Sequence, residues 1–133
     1  MNLEIKNKHE LIALHKIFME AKYGSAEVDI SLQGSPLVRD LYQRIFELLI
    51  EEEKKNPPRA IKKEPETWDN WRKLEGHSHR LEFLKSRLRL LDRNNWSKMD
   101  ENTKKEYIEC LVCPLIANSK EIKDLTDYAD KNH

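Results

Sequence analysis

The sequence is poor in glycine, proline and cysteine, with 3 Gly, 5 Pro and 2 Cys among its 133 residues. The scarcity of glycine argues against a β-sandwich or barrel, because those folds need many tight turns. Two cysteines are too few for the disulfide framework that stabilises small secreted domains. We therefore expect a fold built on helices, with both thiols reduced.

Long hydrophobic runs are also missing. No stretch of about 18 apolar residues occurs, which is the length that a membrane-spanning helix needs. The N-terminal residues lack the uninterrupted apolar region of a signal peptide. These absences predict a cytoplasmic protein that makes no contact with a membrane.

The common catalytic motifs are absent as well. The sequence contains no GxSxG, no P-loop, no GxGxxG and no HExxH. Each of those motifs places a nucleophile, a phosphate-binding loop or a pair of metal ligands where the chemistry requires them. We therefore expect a protein that is not an enzyme and that carries no cofactor.

What the sequence does contain is charge and periodic apolar residues, at 36% and 38% of the chain. The apolar residues recur every three or four positions in several segments, which is typical of amphipathic helices. The fold class predicted is mainly α (α+β at most), with five or so helices in one compact domain, residues 1–133. Residues 27–33 alternate apolar with polar and predict a strand, which we pair with residues 2–5 in a small two-stranded element.

Capping residues predict where the first two long helices begin. Asn7 can cap a helix over residues 8–22. Ser35 and Pro36 suit the N-cap and the first position of a second helix, which should end near Lys54. These are local signals, and they give the most specific boundaries in the chain.

The middle of the sequence is basic, with 12 Lys/Arg against 6 Asp/Glu in residues 54–93 of a chain whose net charge is zero. Residues 55–66 contain three prolines and predict an extended basic connector inside the domain. Residues 67–92 predict either one long helix or two collinear helices with a bend at Gly76.

Two further helices are predicted towards the C-terminus. The first begins at Asp100 or Thr103 and ends before Pro114, because proline lacks the N–H that helix continuation requires. The second, shorter helix is expected to be capped by Ser119.

Cys110 and Cys113 are spaced as CxxC and raise the hypothesis of a zinc site completed by His77 and His79. The pattern weighs against it, because the residues between the cysteines are apolar and lie in a predicted helical turn. In a helix, moreover, the two histidines would point about 200° apart. Packing cysteines are the alternative that we favour.

Nucleic-acid binding is the main alternative function. Basic residues flank the leucines of the predicted 67–92 helix, and Trp68 and Trp71 could stack on bases. Interrupting carboxylates and a near-neutral isoelectric point argue against it. The residues that would contact nucleic acid are Lys62, Lys63, Lys73, Arg80, Lys85, Arg87, Arg89 and Arg93.

The tryptophans support a different function. Trp68 and Trp71 share a helix face, and such pairs are typical of a core or of a partner interface. Trp96 is predicted in a loop, where it closes the core or anchors an interface. Our leading hypothesis is a small interaction or regulatory protein, an accessory protein of a bacterium or phage. Its expected partner is another protein or a second copy of itself in a homodimer.

Overall fold

Eight α-helices form the part of the chain that the structure, a computed structural model, describes: residues 1–24, 30–57 and 67–133. The mainly α prediction is confirmed. A 3₁₀ turn, Leu74–Gly76, separates the fourth helix from the fifth. The helices are α1 (Lys8–Tyr23), α2 (Ile30–Gln33), α3 (Pro36–Lys55), α4 (Trp68–Trp71), α5 (Ser78–Leu88), α6 (Arg93–Lys98), α7 (Glu101–Val112) and α8 (Ser119–Asn132).

The capping signals set most of the boundaries. The side chain of Asn7 accepts a hydrogen bond from the Glu10 amide at 2.9 Å, so α1 begins where predicted. Ser35 and Asp100 cap α3 and α7 in the same way. The last helix differs from the prediction, because Asn118 and not Ser119 is its N-cap, in a reciprocal capping box with Glu121.

The predicted two-stranded element was wrong within the described residues. Residues 2–5 have no regular structure, and α2 occupies Ile30–Gln33; residues 27–29 lie outside the described part. The Gln33 side chain donates to the carbonyl of Lys22 at 3.0 Å. Tertiary contact with the end of α1 therefore fixes this segment as a helical turn, in place of pairing with the N-terminus.

Helix 67–92 is not continuous. The Ile116 amide donates to the Arg72 carbonyl at 2.7 Å, and the Leu74 amide donates to the Ile116 carbonyl at 3.0 Å. These two bonds make an isolated parallel bridge that replaces the helical bonds at this point. Of the predicted connector 55–66, Lys55 is the last residue of α3, and residues 58–66 lie outside the described part.

The buried side chains form two clusters. One lies between α1 and α3, and the other is enclosed by α5, α6, α7 and α8. None of the helices described is both long and apolar enough to cross a bilayer. The first cluster contains Leu11, Tyr42, Phe46, Leu49 and Cys113, and the second is built around Leu74, Leu84, Leu88, Trp96, Ile108, Leu111, Val112, Leu115, Ile122, Leu125 and Ala129.

A buried lysine joins the two halves. The Lys22 ammonium donates to the Gln33 carbonyl at 2.7 Å and to the Cys110 carbonyl, and the Tyr23 hydroxyl donates to the Val112 carbonyl at 2.6 Å. These carbonyls lie at the C-terminal ends of α2 and α7, where helical partners are missing. Lys22 thus satisfies the Gln33 and Cys110 carbonyls, and Tyr23 adds a second bond to the Val112 carbonyl, which also accepts from the Leu115 amide at 3.0 Å.

Candidate functional site

A cleft of about 570 Å³ lies between α1, the C-terminal end of α3, and α4. We call it the Trp cleft, because both tryptophans of α4 line it and each is partly buried. Its other lining residues are Lys8, Ile12, His15, Lys16, Leu49, Glu52, Glu53, Asn56 and Thr67.

Two hydrogen bonds hold the tryptophan wall in place. The Thr67 hydroxyl caps α4 by accepting from the Asn70 amide at 3.2 Å. The Trp68 amide donates to the Glu53 carboxylate at 2.9 Å, which fastens the start of α4 to the end of α3. A helix of one turn is marginal alone, so these contacts and the aromatic packing fix its position.

His15 lies at the centre of the aromatic residues. Its Nδ1 is hydrogen-bonded to the Tyr42 hydroxyl at 2.6 Å, and its ring contacts Trp68 and Trp71 edge-on at 5.1 and 5.3 Å. Burial, followed by the positive charges of Arg80 and Lys16, lowers the pKa of His15. The imidazole is therefore neutral at pH 7, and it provides a polar group between the core and the cleft.

A second depression of about 400 Å³ adjoins the first and shares His15, Lys16 and Trp71 with it. Arg80 enters its lining from α5, and its guanidinium lies 5.0 Å above the ring of Tyr23. The two depressions form one groove that follows α1.

Trp96 has a different environment from the other two tryptophans. It lies in α6, not in a loop as predicted, and it is buried in the second cluster. Its Nε1 donates to the Asp130 carboxylate at 2.8 Å, and the Lys104 ammonium stacks over its ring at 5.1 Å. Trp96 therefore closes the core, which is one of the two roles predicted for it.

Among the residues that the structure describes, the basic side chains proposed for nucleic acid contact different parts of the fold. Arg80 faces α1, whereas Lys85 and Arg89 both contact Tyr128 of α8, Lys85 over its ring and Arg89 through its hydroxyl. Arg87 is buried, with its guanidinium 4.7 Å from the Phe83 ring centroid. Lys73 and Arg93 are exposed, and Lys62 and Lys63 lie outside the described residues.

The four residues considered for zinc occupy two places. Cys110 and Cys113 are buried at the end of α7, where Cys110 Sγ accepts from Arg39 at 3.1 Å. His77 and His79 lie at the start of α5 with their rings 6.2 Å apart, and His77 Nε2 donates to the Trp71 carbonyl at 2.5 Å. Within the described part of the chain, no three His, Cys, Asp or Glu side chains are grouped to hold a metal ion.

Sequence reasoning identified Trp68 and Trp71 but missed His15 and the walls of the groove. His15 contacts Tyr42, which is 27 residues away, and no short-range pattern reports that pairing. The one available signal was a histidine on the apolar side of an amphipathic helix.

No protein-family model, curated protein or solved structure matches this chain. Function is therefore inferred from the Trp cleft itself.

Proposed function

We propose that this chain is a protein-interaction module that holds a short segment of a partner protein in the Trp cleft. The observation that carries the proposal is the pair of partly buried tryptophans in the wall of an open cleft of about 570 Å³. Binding clefts for ligands commonly have such volumes, with apolar walls and a few polar groups. Tryptophan is among the residues most enriched where binding energy concentrates.

The lining of the cleft indicates the chemistry of the partner segment. Ile12, Leu49 and the two tryptophans supply apolar surface, whereas Lys8 and Lys16 stand on the α1 side. Opposite them are Glu52 and Glu53, the latter already bonded to the Trp68 amide. We therefore expect a segment that inserts a large apolar side chain and carries charged residues of both signs beside it.

The geometry of the tryptophans favours a peptide over a nucleobase. The rings of Trp68 and Trp71 are 83° apart, so they do not offer parallel stacking platforms. One face of Trp71 is covered by Phe46, which is stacked on it at an interplanar angle of 19°. A base would need a free aromatic face, whereas an apolar side chain needs only edges and a pocket.

The test is selection of displayed random peptides on the immobilised chain, followed by NMR of the three tryptophan indole N–H groups. A peptide in the cleft should shift the signals of Trp68 and Trp71 and leave that of Trp96 unchanged, because Trp96 lies in the other cluster. Failure to enrich any peptide, or enriched peptides that leave the Trp68 and Trp71 signals in place, would refute the proposal.

Two matched variants of α1 provide the control. Ile12→Asn places a polar group in the cleft and should weaken peptide binding about tenfold, in line with the loss of one apolar contact. Ile17→Asn makes the same change at an exposed position that lines neither depression. It should bind as the unmodified chain does.

A further inference from the structure

The outward face of α3 exposes three leucines in a line. Leu37, Leu41 and Leu48 are 76%, 47% and 40% exposed, while the core face of the same helix buries Tyr42 and Phe46. At 100° per residue the three leucines fall within an arc of about 40°, so they form one narrow stripe. Single exposed leucines are ordinary, but an aligned apolar stripe on a 20-residue helix is typical of a helix–helix interface.

A depression of about 240 Å³ lies at one end of this stripe. Its apolar lining is Ile5, Leu11 and Leu48, and Lys8, Glu51 and Lys55 stand among its polar residues. Leu37, the most exposed of the three leucines, is at the other end of the stripe, about 16 Å away along the helix axis. A two-fold axis across the middle of this face brings one end of it in one copy opposite the other end in the second copy. The projecting side chain of each copy then meets the depression of the other.

We propose that a second copy of this chain covers the stripe, with the two α3 helices antiparallel and the two-fold axis near positions 42 and 43. Leu37 of each copy then enters the depression beside Leu48 of the other, because 37 and 48 are equally distant from that axis. The stripe is thus complementary to itself across the two-fold axis, which makes a second copy the occupant that fits it.

The charges beside the stripe agree with an antiparallel pair. Asp40 and Arg44 lie one helical turn apart on the same edge of the stripe. Around an axis near 42, Arg44 of one copy lies opposite Asp40 of the other, and the contact occurs twice. A parallel pair would place Asp40 and Arg44 of the two copies on opposite edges of the interface, so this contact would be lost.

This interface and the Trp cleft share the polar residues Lys8 and Glu52 but no apolar side chain. The Trp cleft takes its apolar surface from Ile12, Leu49 and the tryptophans, and the stripe uses none of those side chains. The chain could therefore dimerise through α3 and hold a partner in each cleft.

Cysteine cross-linking tests the pairing directly. A Leu37→Cys chain mixed with a Leu48→Cys chain and oxidised with oxidised glutathione should give a cross-linked heterodimer. Neither variant alone should cross-link, because equal positions lie about 16 Å apart in this arrangement. The natural cysteines are buried and do not compete. Cross-linking of either single variant with itself, or none in the mixture, would overturn the proposal.

Sedimentation equilibrium at concentrations up to about 0.1 mM supplies the second readout. Leu37→Glu should raise the dimer dissociation constant about a hundredfold, since the interface contains the contact twice and each copy contributes about tenfold. Leu90→Glu makes the same change at a position that is 63% exposed just after α5 and away from the stripe, and it should leave the constant unchanged. A monomeric unmodified chain, or equal effects of the two variants, contradicts the proposed interface.

Discussion

Replacing Lys22 by methionine is the most informative perturbation of the fold. The ammonium is buried and donates to the carbonyls of Gln33 and Cys110. Among the described residues, these two carbonyls accept from no other donor. Burial lowers the pKa of Lys22 from 10.5 to about 8. The difference of roughly 2.5 pKa units corresponds to about 3 kcal/mol between the charged and the neutral amine.

The sign of the pH dependence follows from proton binding. Between about pH 8 and 10.5 the unfolded chain holds a proton on Lys22 that the folded chain has already released. Raising the pH therefore stabilises the fold through this group, by about 2 kcal/mol between pH 7 and 10. Burial raises the pKa values of Cys110 and Cys113, so those thiols make stability fall as the pH rises above their ordinary range.

Comparison with the variant separates these opposing effects. The free energy of unfolding should be measured by urea titration from pH 7 to 10 for the unmodified chain, Lys22→Met and the exposed control Lys120→Met. The unmodified chain should gain about 2 kcal/mol over Lys22→Met across this range, while its difference from Lys120→Met stays constant. A flat or falling difference for Lys22→Met would show that the lysine does not have a lowered pKa and would refute the reasoning.

Three further predictions concern single side chains. Because the pKa of His15 is lowered in the folded chain, the unfolded chain takes up a proton before the folded chain does as the pH falls below about 6.5. The free energy of unfolding measured in urea should therefore drop between pH 7 and 5, and His15→Gln should reduce that drop. Cys110→Ala and Cys113→Ala should each cost about 1 to 2 kcal/mol in the same assay, because both thiols are buried, and peptide binding in the Trp cleft should be unchanged. Gly76→Ala should be neutral or stabilise the fold by up to about 1 kcal/mol in thermal unfolding, because its added Cβ meets nothing within 4 Å. Gly34→Ala should instead destabilise the fold, because its Cβ would lie 2.8 Å from a tyrosine ring.

The parts of the fold that sequence predicts are those that depend on neighbouring residues. Asn7, Ser35 and Asp100 cap helices because a short polar side chain reaches an amide three residues on. Pro36 fits the first turn for an equally local reason. The predicted strand is a helical turn over Ile30–Gln33, because hydrogen bonds between Lys22 and Gln33, 11 residues apart, hold this segment against the end of α1.

The candidate site is less visible in the sequence, because contacts across the chain build it. The spacing of Trp68 and Trp71 correctly indicates a shared surface, yet it says nothing of what stands opposite. The hydrogen bond from Tyr42 holds the His15 ring at the cleft, and α1 supplies the wall of the cleft that faces the tryptophans. Long-range pairings of this kind leave no periodic signal.

The break after α4 is what gives the Trp cleft its form. If one continuous helix ran through residues 72–77, Trp71 would lie on the same helix axis as α5. Instead, the backbone at Arg72 is paired with Ile116, and the Arg72 side chain lies over the Phe46 ring at 4.3 Å while donating to the Pro114 carbonyl at 3.2 Å. The tryptophan wall is thus supported from behind by the loop between α7 and α8. Changes in that loop should alter the cleft although Pro114 and Ile116 do not line it, because they hold the segment that positions Trp71.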